Sequence, residues 1–248
     1  IHKFLKQVLP DSDVEKYVLK LISSFLHGST GDQKFHIWTG CGSNGKSKLL
    51  DLIEDTFGDY SIKLPVTVMT HKRAGPSAPN PEIAKTKGKR FVSLQEPEKD
   101  DKIHVGFMKE LSGGDTIMAR GLNESPIEFK PMFKIVLACN DLPDIPSNDG
   151  GTWRRVRVVH FPSKFVDDPD PNCSNEHKID KDIPDKIKKW APMFASLLIH
   201  RYAAYKTEGV RAPASVMAAT EKYRLNNDIF LEYIKENIDK TENDKDNV

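Results

Sequence analysis

Apolar side chains recur at helical spacing between residues 11 and 27, at Val14, Tyr17, Val18, Leu21, Ile22, Phe25 and Leu26. That period predicts an amphipathic helix. Ser12 with Glu15 reads as its capping box and Gly28 as its stop. A polar turn then leads to a short apolar run, Phe35-His36-Ile37-Trp38-Thr39, predicted as a strand. The period returns to helical over residues 46–57, with Leu49, Leu50, Ile53 and Phe57 on one face and Gly58 at the end. Residues 73–81 are too rich in Pro, Gly and Ser for helix or strand, and Asn80 is placed to cap a short helix beginning at Pro81. Further strands are predicted at 90–96, 133–139 and 156–161, and a helix over 105–111 stopped by Ser112-Gly113-Gly114. Two β-like pieces between 115 and 129 suggest a hairpin. Strands alternating with helices predict an α/β fold built on a parallel sheet. Beyond Phe165 a polar linker (167–175) leads to helical patterns over 179–205 and 215–238, and the final ten residues are polar and read as frayed. This gives three regions: an N-terminal helical segment (1–30), a core (31–165) and a C-terminal helical region with a polar tail (166–248).

Composition narrows the class. Of the 248 residues, 38% are hydrophobic and 29% charged, the balance of a soluble globular protein. No apolar run is long enough to span a membrane. Cys41, Cys139 and Cys173 lie far apart with no C-x-x-C spacing, so neither a disulfide framework nor a zinc knuckle is indicated, and a reducing intracellular compartment fits. The chain begins Ile-His-Lys and reads as a piece of a longer protein. A net charge of only +1 gives no bulk signal for nucleic acid, so any such contact must be local. The densest basic clusters are His71-Lys72-Arg73 and residues 85–90, which either face nucleic acid or keep a loop soluble.

The chemistry centres on residues 40–47. Gly40-Cys41-Gly42-Ser43-Asn44-Gly45-Lys46-Ser47 is a complete G-x-x-x-x-G-K-S phosphate-binding loop, set between a strand and a helix as the motif requires. Glycines let successive N–H groups curl toward phosphate oxygens, and the helix N-terminus adds its dipole. Lys46 would reach the β- and γ-phosphates, and the Ser47 hydroxyl would hold Mg²⁺. Cys41 sits in the loop without a chemical role, because the loop works through its backbone. Trp38 and Trp190 read as core or interface residues.

A nucleoside-triphosphatase also needs an acid at a strand end beside the loop. Glu96 fits, with Glu98 second; alternatively both are solvated loop acids. Asn140, closing another strand, could bond the γ-phosphate and the attacking water, or serve as a turn residue before Asp141-Leu142-Pro143. Arg154 and Arg155 are either a surface pair flanking an edge strand or a source of a guanidinium for a neighbouring subunit's γ-phosphate. Lys109 and Arg120 could contact phosphates of a single strand, or be ordinary surface charge around the hairpin.

In order and spacing these pieces resemble the superfamily 3 helicases of viruses, nearest the poxvirus-type and giant-virus helicase–primases and the phage and plasmid primase–helicases. The carrying residues are the loop 40–47; Arg90-Phe91-Val92-Ser93-Leu94-Gln95-Glu96-Pro97-Glu98; Lys109-Glu110-Leu111-Ser112-Gly113-Gly114-Asp115 with Arg120; 133–140 followed by Leu142-Pro143; and Trp153-Arg154-Arg155 before Val158-Val159-His160-Phe161. The resemblance implies an AAA+-like core and a ring, usually hexameric, that moves along single-stranded DNA at a replication fork with ATP and Mg²⁺, in viral or mobile-element replication within a host cell. It leaves open a primase domain elsewhere in the full-length protein. By position, Lys46 and Ser47 are the first motif and Glu96 the acid of the second, with Ser47 and Glu96 toward the metal. Residues 109–120 lead into a pore hairpin, Asn140 is the sensor asparagine, and Arg154 or Arg155 is the finger donated in trans. Many relatives carry two adjacent acids where this chain has Gln95-Glu96, which leaves the division of labour between Glu96 and Glu98 open. A different class, a nucleotide-dependent protein remodeller, would share the loop and acid but need no DNA-facing hairpin.

Overall fold

The structure is a computed structural model in which residues 1–71, 78–98 and 100–228 are described. Along the chain, α1 (His2–Val8) and α2 (Ser12–Ser24) precede β1 (Phe35–Thr39), α3 (Lys46–Phe57) and β2 (Ser61–Leu64). Short helices α4 (Thr67–Thr70) and α5 (Pro81–Ala84) lead to β3 (Phe91–Gln95) and α6 (Val105–Gly113). A hairpin of β4 (Ile117–Ala119) and β5 (Ile127–Phe129) precedes β6 (Lys134–Ala138), the turn α7 (Gly150–Trp153) and β7 (Val156–His160). A small parallel pair, β8 (Lys164–Val166) with β9 (Glu176–Lys178), is followed by α8 (Ile183–Glu208) and α9 (Ala214–Asn226).

The five main strands form one parallel sheet in the order β2-β3-β6-β1-β7. Such a sheet is covered on both faces, so its central strands read as continuous apolar runs. β1 and β6 are buried at every position. Alternate side chains divide the core in two. Trp38, Phe91, Val136 and Val159 pack with α1, α2, α3 and α8 on one face. Phe35, Ile37, Val92, Leu94, Ile135, Leu137 and Val158 pack with α6, the hairpin and α9 on the other. The predicted α/β architecture with a parallel sheet is therefore present.

Several local expectations are corrected. The helix predicted over 11–27 is α2, and it is capped by Asp11, not by a Ser12–Glu15 box: one carboxylate oxygen accepts from the N–H groups of Asp13 and Val14 at 2.8 and 3.2 Å. It ends at Ser24 rather than at Gly28. Asn80 occupies the N-cap of α5 but its side chain faces away from the helix. Its Oδ1 accepts from Arg120 N at 2.7 Å while Asn80 N donates to Arg120 O at 2.8 Å, so the residue tethers the hairpin. Nothing in the sequence pattern separated α1, β2, β8 or β9. The predicted linker 167–175 is the connection between β8 and β9. The penultimate helical pattern runs over Ile183–Glu208, with Pro192 inside it. The predicted helix 215–238 is described as α9 as far as Asn226, and its remainder, the polar tail 239–248 and most of the loop 73–81 lie outside the described residues, as do Lys72 and Arg73 of one basic cluster.

Candidate functional site

All five strands of a parallel sheet point the same way, so one edge of the sheet gathers every carboxyl end. In open α/β sheets, ligands bind in the crevice along that edge. The loop 40–47 leaves β1 at this edge and enters α3. Gly45 is the N-cap of α3 in the left-handed region at φ 84°, and a Cβ there would meet Val8 Cγ2 at 2.7 Å. Gly40, at φ 149°, has no room either, since a Cβ would lie 2.4 Å from Phe161 O. These two positions need glycine. The side chain of Asn44, buried, spans the loop: its amide donates to Cys41 O and its Oδ1 accepts from Lys46 N at 3.1 Å. Ser43 O accepts from Phe165 N at 2.7 Å, which fixes the loop's outer side. Cys41, Gly42, Ser43 and Ser47 are exposed.

Lys46 is 5% exposed. Its ammonium donates to Gly40 O at 2.7 Å and to Asn140 Oδ1 at 3.2 Å. Desolvation lowers its pKa from the ordinary lysine value. A buried ammonium resting on two neutral oxygens is a cation with its electrostatic demand unmet, and an anion such as a phosphate oxygen fits it. Thr39 Oγ1 donates to Asn140 O at 2.9 Å, so the end of β1 holds the end of β6 in place. Beside them the Cys139 thiol is buried, and burial pushes its pKa up to about 11, which keeps it protonated.

Glu96 follows β3 directly, next to β6, with its N–H donating to Ala138 O at 3.0 Å. It is exposed and lies at φ 58°, a conformation that costs a residue with a Cβ roughly 1 kcal/mol or more. Gln95 turns the other way and its Oε1 accepts from Lys63 Nζ of β2 at 2.9 Å. Glu98 is exposed, and its N–H donates to Asp101. No group of three or more metal-ligating side chains exists among the described residues. The Ser47 hydroxyl and the Glu96 carboxylate, both exposed at this edge, are oxygens of the type that take Mg²⁺ together with substrate phosphates and water.

Lys46, Asn140, Ser47 and Glu96 thus share the carboxyl edge. Arg154 and Arg155 do not. They precede β7, whose first residue Val156 pairs with Phe35 at the start of β1. The length of the strands, about 16 Å, separates them from the loop of their own chain. Arg154 is exposed, with Nη2 donating to Gln33 Oε1 at 2.7 Å. Arg155 is half-buried, with Nη1 donating to Gly151 O at 2.5 Å. Lys109 on α6 is at this amino edge too, ion-paired with Asp149 at 2.9 Å. Arg120 is half-buried at the end of β4, with the exposed Leu122 at the hairpin tip just beyond it.

Sequence reasoning missed a cavity of about 670 Å³ on the outer side of the loop, lined among others by Phe4, Ser43, Gly45, Lys48, Phe165 and Trp190. Its aromatic walls come from α1, β8 and α8, elements far apart in the chain. The aromatics themselves were visible; their convergence was not.

A parallel α/β sheet with a glycine loop, a buried lysine and a strand-end amide at its carboxyl edge defines a candidate phosphate-binding site. Comparison with known proteins places the chain among viral relatives. Residues 38–155 match a family of unknown function (DUF5906). The chain is 38% identical, over 99% of its length, to a protein of Acanthamoeba polyphaga mimivirus named "Putative helicase L207/L206", of which it covers 26%. It is 32% identical, over 94% of its length, to "Putative helicase 022R" of Frog virus 3, covering 25% of it. It is 28% identical, again over 94%, to "Putative primase C962R" of African swine fever virus, covering 25%. The chain therefore spans about a quarter of the length of these viral proteins. Among solved structures, the apo C-terminal region of NrS-1 superposes with a TM-score of 0.64 at 17% identity, over 90% of this chain and 50% of that one, a likeness of fold. The resemblance to viral helicase–primases read from the motifs is borne out by these relatives. No helix among the described residues is long and apolar enough to cross a membrane.

Proposed function

We propose that this chain is the ATP-driven motor of a viral replication helicase, acting as a ring, usually hexameric, on single-stranded DNA. The observation that carries the reading is the buried Lys46 ammonium, which meets Asn140 Oδ1 at 3.2 Å and, among the described residues, has only neutral oxygens for hydrogen-bond partners. A triphosphate in the loop supplies the anion that this cation lacks. The N–H groups of the loop cradle the phosphates, and Lys46 neutralises charge on the β- and γ-oxygens. Ser47 and the phosphates, with Glu96 through the metal's water shell, would hold Mg²⁺, which when bound screens the charge that develops during phosphoryl transfer. Glu96 accepts the proton of the attacking water, and Asn140 orients that water against the γ-phosphate. The cavity lined by Phe4, Phe165 and Trp190 is of a size and character that accepts the base and ribose. Arg155 or Arg154, at the opposite edge, completes the site of the next subunit in the ring. The hairpin, with Arg120, faces the DNA. The viral relatives named as helicases and a primase support this reading.

The test is ATP hydrolysis by the intact protein with and without single-stranded DNA, in parent and Lys46→Ala forms, alongside solution mass. Single strands are expected to accelerate the parent, and the variant to lose turnover with its fold intact. Parent-level hydrolysis by Lys46→Ala would remove the site assignment. Turnover indifferent to single strands would favour a protein remodeller instead.

A further inference from the structure

The carboxylate of Asp149 is the hub of the turn that carries Arg154 and Arg155. Oδ1 accepts from the Thr152 N–H and from the Lys109 ammonium, both at 2.9 Å. Oδ2 accepts from Thr152 Oγ1 at 2.7 Å, from Lys109 Nζ at 3.0 Å and from the Ser147 hydroxyl. The Ser147 and Thr152 hydroxyls and the Lys109 ammonium hold this carboxyl far below the usual carboxylate range.

Capping the four-residue turn α7 needs one of those bonds, the one from Thr152 N–H. Two of the others bring in α6, through a lysine 40 residues earlier in the chain. An ion pair at a partly exposed surface adds little stability. What it adds is orientation. Arg155 Nη1 donates to Gly151 O, the carbonyl of the very turn that Asp149 caps, and Arg155 Nε is buried without a partner among the described residues. The three groups converge on Gly151. A Cβ there would lie 2.8 Å from Asp149 Oδ1, 3.8 Å from Lys109 Nζ and 4.0 Å from Arg155 Nη1. The absence of a side chain at 151 lets carboxylate, ammonium and guanidinium approach one another.

We infer that Asp149, anchored by Lys109, is a positioning residue that sets the angle at which Arg155 is presented to a triphosphate held by a neighbouring copy. Lys109 then belongs to the support of the arginine rather than to the DNA track. The inference rests on the reading of Arg155 as an arginine acting in trans.

The experiment measures steady-state ATPase and the binding of a fluorescent ATP analogue in the intact protein with single-stranded DNA. Asp149→Ala is expected to lower kcat by about 10- to 100-fold, the effect of a misplaced catalytic group. KM and analogue affinity stay within about twofold of the parent, because the protein's own loop is at the opposite edge. Lys109→Met follows in the same direction, and Lys109→Arg, which keeps the charge and the reach, restores most of the rate. The deciding comparison is Asp149→Ala in an Arg155→Lys background, which keeps a charge and residual turnover to measure: a group acting through the arginine adds little further loss. Multiplicative losses in the double variant, or parent-rate turnover by Asp149→Ala where Arg155→Ala is inactive, overturn the inference while leaving the trans arginine standing. Parent-rate turnover by Arg155→Ala itself overturns the underlying reading and this one with it. Should Asp149→Ala fail to fold, Gly151→Ala keeps both charged groups and pushes a methyl between them; an unchanged kcat there is equally fatal.

Discussion

At the scale of single residues, stability and activity pull apart at two positions. Glu96 is held at φ 58° immediately after β3, where glycine would sit without strain. Glu96→Gly is expected to leave unfolding free energy unchanged or raised by up to about 1 kcal/mol while abolishing ATP turnover. Urea titration alongside an ATPase assay checks both halves, and a clear destabilisation would show that the carboxylate serves the fold. His36 is the second position. It is fully buried in β1 beneath Tyr17, neither ring nitrogen has a well-formed partner among the described residues, and desolvation pushes its pKa down to about 3. The unfolded chain takes up a proton near pH 6.5 that the folded chain refuses. His36 therefore costs nothing above pH 6.5, and stability falls as pH drops from about 6.5 toward 3, by up to about 1.4 kcal/mol per pH unit. In His36→Leu the denaturation midpoint should change less between pH 7.5 and pH 5 than in the parent; equal slopes would mean the histidine is protonated in the fold.

Elements differ in how plainly they were written. The loop and α3 were legible because glycines, Lys46 and an amphipathic period coincide there. The central strands were legible because burial on both faces forces runs of apolar residues. β2 was not: Ser61-Ile62-Lys63-Leu64 is an edge strand with one fully buried position, and it carries no such run. The β8–β9 pair was hidden because each strand is three residues long. The cap of α2 lies one residue earlier than the pattern predicts because Asp11, Ser12 and Asp13 are all good caps, and only geometry chooses among them. α9 shows what tertiary contact adds. Its Tyr223 hydroxyl donates to Pro143 O, its Asn227 Oδ1 accepts from Ile145 N at 2.7 Å, and Thr220 Oγ1 accepts from Val158 N at 3.0 Å. The helix clasps the segment that runs from Asn140 to the arginine turn. Tyr223→Phe leaves a buried carbonyl without its donor and is expected to cost about 1–3 kcal/mol in urea denaturation. A loss near zero would mean that the clasp is held by the other two bonds and by packing of the ring against Trp153.

For the whole molecule, the central fact is that the two halves of the proposed catalytic set lie at opposite edges of one sheet. Under the proposed reading a monomer with that layout would be incomplete, and a ring would join the carboxyl edge of one copy to the amino edge of the next. Lys46→Ala and Arg155→Ala are each expected to be inactive alone. Mixed together before assembly, they should regain part of the parent ATPase, since some interfaces then pair an intact loop with an intact arginine. No recovery at any mixing ratio would count against catalysis in trans.

The sequence by itself determined the α/β class, the glycine loop with Lys46, the strand-end positions of Glu96 and Asn140, and the hairpin, because each is a local pattern of period, glycine placement or polar punctuation. Only the tertiary structure decided which residues meet. Parallel strands send every carboxyl end one way and every amino end the other, and this direction brings Asn140 to Lys46 across 94 residues of chain while keeping Arg155 a sheet's length away. Spacing along a chain carries no record of that direction; the packing of helices on both faces of the sheet does.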